Sequence, residues 1–424
     1  MTNRAVDIAV IGGGAFGMWC AIAAAAAGAE VVLLEAGPTV FSGASATPVG
    51  ALTPFPFARP DDPLAAYQAE ALLTMAGAMD RLTAMSGIVT GYIPHGRLTP
   101  LRSAADRARA EAQVVEGKRR MPWGPRGRRS DWRISDSYRH SHLFAQDSFS
   151  AGWMSDSVSA QIDSAHYAEA LEGAAEGLSP RLRLWLGCRI SKIERTGPHW
   201  RLNASSTTVA ARRVILASGW QSGALAAFAG FGAEVLAGPS AGIEAPEAPL
   251  RGAAAAADRP VKGQSALLAL PHGRLPVYMP VVQAPRLFIV NHTASDPERR
   301  ADVARIGVGA TNEPGETDLG TDHGLDDVVA SARALMPVLE EARVERRWAG
   351  IRPRPPGKLP RIGEVADAPG LWHASGGFKI GLALAHHAGM GVAAAALGIA
   401  PGTMLGPFGP APALPAAFAP GTLR

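Results

Sequence analysis

At 424 residues the chain exceeds one ordinary domain and can bury two full cores. Its 47% hydrophobic and 18% charged residues exclude a disordered chain, and no stretch is long and apolar enough to span a bilayer. The net charge of +4 is unevenly placed, and two cysteines, Cys20 and Cys188, make no disulfide framework, so a reducing, cytoplasmic setting is expected. Arg4 and the apolar run after it imitate a secretory signal, but Asp7 and a glycine cluster interrupt it.

Val6-Asp7-Ile8-Ala9-Val10-Ile11 has the mostly apolar run of a buried parallel strand. Gly12-Gly13-Gly14-Ala15-Phe16-Gly17 follows at once with G-x-G-x-x-G spacing, an alanine-rich helix is predicted over 18–27, and Glu30 to Glu35 reads as a second strand. Gly12 permits the tight turn, Gly14 lets a pyrophosphate reach the backbone, and Gly17 lets helix and strand pack closely. The helix N-terminus offers free N–H groups and the positive end of its dipole. Glu35 would accept hydrogen bonds from a ribose, and its charge would repel a 2′-phosphate, which argues against NADP. Strand, glycines, helix, strand and terminal acid in register point to dinucleotide binding. The competing reading is a structural turn packed on alanine and glycine.

Gly43 to Pro54 is a small-residue loop of the kind against which a flat ligand lies. Helical spacing puts Leu64, Tyr67, Ala71, Met75, Met79 and Leu82 on one face over 63–85. Gly91 to Leu101 reads as a strand, and Ser103 starts another helix. Between Arg97 and Arg139, twelve Lys/Arg face five Asp/Glu. That excess marks an anion-binding segment or, more simply, a solvated arginine-rich loop over 118–133. Near Asp163 the pattern returns to α/β, with a helix over 167–178 and strands over 182–185 and 189–194. A hairpin arm follows at 200–202 and 207–210, then Val214 to Gly219 as an apolar strand ending in a glycine turn.

From Val235 to Ala310, strand-like runs at 265–270, 276–281, 287–291 and 305–310 alternate with Pro/Gly punctuation, as in an antiparallel sheet. A helix over 325–335, strands at 343–348 and 371–374, and a helix opening at Leu382 complete the pattern. The proline-rich tail, 401–424, is expected to be extended or poorly ordered. The fold class is therefore α/β. A Rossmann-like nucleotide-binding domain over 1–60, 155–232 and 341–400 is interleaved with a second α+β substrate domain over 61–154 and 233–340, built on an antiparallel sheet.

Four ordered stretches carry a family resemblance: Ile11 to Gly17 with Glu35, Ala44-Ser45 through Gly50-Ala51-Leu52, Val214 to Gly219, and a C-terminal set. That last set is Ala349 to Pro353, Leu359 to Gly363 and Gly376 to Gly381, and Val261 to Gln264 and Val308 to Glu313 add to it. The chain resembles the D-amino acid oxidase superfamily of FAD enzymes, which includes glycine oxidase, sarcosine oxidase and D-amino acid dehydrogenases. The resemblance implies noncovalent FAD with its isoalloxazine at the domain interface, since both cysteines precede the region where some members link flavin to cysteine. It implies cofactor contacts from Gly12, Gly14, Ala15, Phe16, Gly17, Glu35 and Ala36, with Ile190 near adenine and Ala217-Ser218-Gly219 at the second strand end. Ser45 and Gly50-Ala51-Leu52 would lie beside the flavin ring, as would Arg352, Gly377, Phe378, Lys379 and Ile380. The helix opening near Gly381, with or without Lys379, would stabilise the negative charge of reduced flavin. Lys379 is otherwise a surface lysine beside a turn.

For activity, the resemblance implies oxidation of a small amine or amino acid by hydride transfer to flavin N5, giving an imine that hydrolyses. Arg352, in a G-x-R-P setting, would pair the substrate carboxylate in a bidentate fork and fix its Cα–H over the ring. Arg354 is the alternative clamp. Tyr278 matches a carboxylate-binding tyrosine of glycine oxidase-like enzymes, or is a core aromatic in a strand. His95 reaches the site from the first insertion or is incidental. Oxygen or a quinone would take the electrons, an oligomer is open, and neither a nucleic acid nor a metal is expected as partner. Two other readings stand. One is the tRNA-modifying branch that removes an N-carboxymethyl group, suggested by the basic 97–139 segment but without its usual fused methyltransferase half. The other is a flavin-bearing, non-catalytic partner subunit. Gly377-Phe378-Lys379-Ile380 replaces the histidine-containing turn of glycine oxidases, which leaves the substrate open.

Overall fold

The first strand, Val6–Ile11, pairs in parallel with Val31–Leu34 on one side and Thr208–Leu216 on the other. Ile8, Ala9, Val10 and Ile11 are all buried, so both faces of the strand are covered and its apolar residues run on without alternating. The structure, a computed structural model, describes residues 5–54, 63–204, 207–222, 225, 258–295, 303–365 and 368–416. Its first sheet has eight strands along the order 361–364, 371–375, 208–216, 6–11, 31–34 and 182–185, with 199–204 and 190–196 attached to 208–216 as a hairpin arm. The carboxyl ends of Val6–Ile11 and Thr208–Leu216 lie side by side, at the edge where open α/β sheets take their ligands.

Four helices cover one face of this sheet: Ala15–Ala26, Pro63–Ser86, Ser164–Glu176 and Gly381–Leu397. A single buried apolar cluster runs through all of them. Small residues set the spacing between the first and last. A Cβ on Gly389 would lie 2.5 Å from the Cβ of Trp19, so glycine there lets the two helices touch. Asp163 accepts the amides of Ala165 (2.9 Å) and His166 (3.2 Å) and starts its helix as an N-cap.

The second sheet has nine strands, in the order 313–314, 259–271, 303–309, 287–291, 281–284, 97–100, 153–156 and 132–135, with 343–354 on the free edge of 259–271. Leu325, Val329 and Ala332 of helix His323–Leu335 fill its core. The strand Arg343–Arg354 runs in this sheet, whereas the sequence pattern groups 341–400 with the nucleotide half. Its register follows 259–271 from Ala269 opposite Arg343 to Arg259 opposite Arg354, so long-range pairing decides its side. Arg97 spans the sheet from a buried position, donating to Asp156 at 2.7 Å and Gln283 at 2.6 Å.

Several local expectations are corrected. The strand expected over 91–101 is confined to Arg97–Pro100, and the run 276–281 is not a strand, because Pro276 and Pro280 lack the donors a ladder needs. Pairing starts at Val281–Ala284. The arginine-rich loop is shorter than 118–133: Lys118, Arg119 and Arg120 close helix Ala104–Arg120, favourably placed at its negative end, and Trp132–Ser135 is a strand. The expectation for 235–257 lies outside the described residues. The tail is packed from 401 to 416 rather than extended, and 417–424 lie outside the described residues. Leu405, Phe408 and Ala411 are buried, and a turn closes with Leu405 donating to the Gly409 carbonyl at 2.8 Å.

Two outcomes follow from this packing. Phe408 is edge-on to Trp19 at 5.2 Å and 1% exposed, so Phe408→Ala should cost about 3 kcal/mol in chemical denaturation. A loss under about 0.5 kcal/mol, the range of surface changes, would mean the tail is no part of the core. Buried histidines set the second. Burial, and then Arg361, pushes His373 down to about 3; burial pushes His387 down to about 4, and burial and then His387 hold His386 well below its ordinary value. Groups with lowered folded pKa values bind protons more tightly when unfolded, so stability is present above about 6.5 and lost as pH falls below it. Tm should drop between pH 7.5 and 5, with a shallower slope in His373→Asn. A level Tm would contradict this.

Candidate active site

The glycine turn is built by close approach. Gly12 has φ +107°, and a Cβ there would lie 2.6 Å from the Ala217 carbonyl oxygen, so only glycine lets the two strand ends meet. Ala217 donates to the Ile11 carbonyl at 2.8 Å, which sets Ser218 and Gly219 beside the turn. Any side chain on Gly17 would run into the Gly12 carbonyl. Gly14 is the N-cap of Ala15–Ala26, without a side-chain cap of its own. Ser45 Oγ accepts the Ala15 amide at 3.0 Å from across the loop. Glu35 accepts the Gly13 amide through Oε2 and the Gly37 amide through Oε1, at 2.6 Å each, so the acid and the adjoining Ala36 are fixed at the end of the second strand. The Cys188 amide donates to the Glu35 carbonyl at 2.7 Å and brings Ile190 alongside. The amides of Phe16 and Gly17 belong to the first turn, where a helix supplies no acceptor. Approach to the Gly14 backbone is guarded by one hydroxyl, and a hydroxyl can itself bind phosphate. The donor set fits a pyrophosphate.

The loop after Ser45 is stitched to both sheets. The Thr47 carbonyl accepts Trp348 Nε1–H at 2.5 Å, and Gly350 leaves room for the Thr47 side chain. Val49 presents its carbonyl to His292 Nε2 at 3.1 Å; a carbonyl cannot donate, so Nε2 carries the proton. Burial lowers the pKa of His292, and the charge of Asp163 offsets only part of this. Gly50 has φ +84° and its carbonyl accepts the Ile162 amide at 2.9 Å, and Ala51–Leu52 pairs with Ala160–Gln161.

Arg352 lies on the edge strand of the second sheet, and its guanidinium crosses the neighbouring strand over Gly263. Any side chain at 263 would collide with it. Beyond Gly263, Nη1 donates to the Thr311 carbonyl at 3.1 Å. Thr311 is itself held, since its hydroxyl accepts the Gln264 amide at 2.8 Å and donates to Glu313. The Gln264 side chain bridges Glu313 at 2.9 Å and Asp322 at 2.8 Å. Lys262, buried, offsets this acidic group with its ammonium 3.2 Å from Asp318 and 3.8 Å from Glu313. Burial lowers the Arg352 pKa, and the charge of Glu313 partly restores it. Among the described residues no ion pair engages the guanidinium, which retains donors for a bidentate anion.

The turn before the last helix closes the site. Ile380 donates to the Gly377 carbonyl at 2.8 Å, and Phe378 adopts a left-handed backbone, φ +44°. A Cβ on Gly377 would meet the Phe16 ring at 3.0 Å, so the first turns of helices Ala15–Ala26 and Gly381–Leu397 converge on one phenyl ring. A small crevice runs along this turn, lined by Leu64, Lys358, Pro360 and residues 376–380. Burial first, then the charges of Arg352, Lys358, Arg354 and Arg286, lower the Lys379 pKa. Lys379 is exposed on this turn, with its ammonium 5.6 Å from the Phe378 ring centroid.

Other expected residues fall elsewhere. Tyr278 is 52% exposed and lies in a bend, so it is not a core aromatic in a strand. Its ring meets that of His95 edge-on at 4.8 Å, and burial lowers the His95 pKa. Among the described residues neither ring makes a hydrogen bond or ring contact with Arg352. Much of the basic 97–139 segment is neutralised locally, with Arg107 on Asp136, Arg109 on Asp106, Arg119 and Arg120 on Glu116, and Arg126 on Asp80. Gly263, Gln264 and Thr311 lie in stretches that carry the family resemblance without a role of their own; the pairing of Val261 with Arg352 brings the guanidinium diagonally over Gly263.

A sheet with a parallel centre, a glycine turn and an acid-tipped second strand, joined to a largely antiparallel sheet presenting an arginine, is the architecture of a two-sheet nucleotide-binding protein. The DAO family of FAD dependent oxidoreductases matches residues 7–395, and the chain belongs to it. It is 26% identical over 416 residues to the glycine oxidase of Geobacillus kaustophilus, covering 93% of each. The crystal structure of glycine oxidase from that organism aligns with a TM-score of 0.76 at 22% identity, over 96% of this chain and 98% of that one. Iminodiacetate oxidase from Chelativorans sp. BNC1 aligns with a TM-score of 0.73 at 20% identity, over 95% of this chain and 98% of that one. The protein is thus an FAD-dependent oxidoreductase that holds its cofactor noncovalently, and both cysteines are buried and free. No helix among the described residues is long and apolar enough to cross a membrane. Gly12→Val should leave less than about a tenth of the wild-type flavin on purified, folded protein, because the strand ends can no longer meet. Full flavin content by absorbance would contradict that role.

Proposed function

We propose that the protein oxidises a C–N bond in a small amine or amino acid that carries a carboxylate, producing an imine. The observation that carries this reading is the half-buried Arg352 guanidinium, held on one side by the Thr311 carbonyl and lacking a carboxylate partner among the described residues. A substrate carboxylate completes it in a bidentate fork. The Gln264–Glu313–Lys262 group keeps Thr311, and so the guanidinium, from turning away.

Bound FAD supplies the two-electron acceptor for the hydride that leaves the carbon bearing nitrogen. The first-turn amides, Ser45 and Glu35 hold its dinucleotide half in this reading, and the stitched 47–52 loop and the 377–380 turn flank its ring. Positioning is most of what the protein contributes, because a neutral amine needs no strong base once its C–H bond is aimed. The imine then takes up water and separates into an oxo acid or aldehyde and ammonia or an amine. Glycine oxidase and iminodiacetate oxidase, the relatives named above, are both named for substrates with an amine and a carboxylate. Oxygen or a quinone collects the electrons, and peroxide release distinguishes the two.

Arg352→Met should lower kcat/KM by at least about 100-fold, chiefly through KM, with flavin content reduced less than twofold. Gly263→Val, which touches no substrate, should reproduce the KM effect by displacing the guanidinium. Unchanged kcat/KM in both variants would remove the carboxylate clamp.

A further inference from the structure

Arg352 is not the only cation here without an acidic partner. Arg354, Lys358 and Lys379 form no ion pair among the described residues either, Lys358 and Lys379 from exposed positions and Arg354 from a half-buried one. Arg352 and Arg354 are two apart on one strand, so their side chains leave the same face about 7 Å apart along it. Arg354 lies 5.8 Å from the Phe378 ring centroid and the Lys379 ammonium lies 5.6 Å from it, so one phenyl ring gathers both cations. Lys358 and Lys379 line the crevice along this turn.

The backbone points to the same place. Five described non-glycine residues have positive φ, and two of them, Lys358 (+62°) and Phe378 (+44°), lie along this crevice. Bulky residues take that conformation when their surroundings force it, and such positions gather at ligand sites. Like charges held together, with no carboxylate paired to them among the described residues, are stabilised when an anion arrives. The two heads are held by different contacts, Arg352 over Gly263 on the Thr311 carbonyl and Arg354 over the Phe378 ring, so each offers its own anion site.

We infer that the substrate is an amine bearing two carboxylates, one held by Arg352 and the second received by Arg354 and Lys379 beside Phe378. The inference rests on the amine-oxidation reading and narrows its substrate class.

The test uses FAD-loaded, full-length protein and unreactive probes in matched pairs: acetate with malonate, propionate with succinate, and butyrate with glutarate. Dissociation constants come from calorimetry and from perturbation of the flavin spectrum, and kcat/KM is compared for glycine and iminodiacetate. At least one dicarboxylate should bind tenfold or more tightly than its monocarboxylate partner, and iminodiacetate should exceed glycine by a similar factor. Arg354→Met and, separately, Lys379→Met should each shrink the binding ratio below about threefold, and Arg354→Lys should restore part of it. Arg352→Met should weaken both classes together. Monocarboxylates and dicarboxylates binding equally to the wild type would overturn the second subsite while leaving amine oxidation intact. Failure of every carboxylate to bind would sink both readings at once.

Discussion

A guanidinium lying across a glycine is the contact on which the second half of this molecule turns. Arg352 reaches over Gly263 to the Thr311 carbonyl, and that path exists because the intervening strand has no side chain there. Its geometry has a cost, since a half-buried cation lacks the solvation it would have in water. The charge of Glu313 relieves it only in part. Glu313, Asp318 and Asp322 are engaged by Lys262 and Gln264, which leaves the arginine fixed in place with hydrogen-bond donors to spare. A preorganised donor set of this kind binds an incoming carboxylate without first breaking an internal ion pair.

The first half of the molecule supplies the complementary constraint. Gly12, Gly14 and Gly17 remove side chains where strand, strand and helix meet, and Glu35 and Ser45 fix the amides around them. Phe16 then links this cradle to the Gly377 turn, so the first turns of two helices are set by one ring. The loop through Thr47, Val49 and Gly50 is tied to Trp348 and His292 of the second sheet and to Ile162 near the first. A displacement of either sheet would therefore be felt at the loop. Cofactor site and arginine are parts of one packed unit.

Much of this was legible in local sequence, for identifiable reasons. The glycine turn and its flanking strands are encoded within thirty contiguous residues, and apolar runs mark both buried strands. Arg352 stands out as a candidate through its Gly-x-Arg-Pro setting and not through periodicity. Gly263 does not, because its role depends on the pairing of 259–271 with 343–354, a register that no local pattern carries. Arg352, Arg354 and Lys379 are each legible as candidates, but their grouping about Phe378 is not, because it forms only after folding. Prolines misled twice. In the tail they suggested an extended chain, although Leu405 and Phe408 between them supply a buried face; around Tyr278 they flanked an apolar run that looked like a strand.

Anaerobic mixing of the yellow protein with amino acids and with their decarboxylated counterparts tests the clamp most directly. At least one amino acid should bleach the flavin absorption while the matching simple amine, identical at the reacting carbon–nitrogen bond but without the carboxylate, leaves it oxidised. Equal bleaching by the decarboxylated amine would show that Arg352 does not select the substrate.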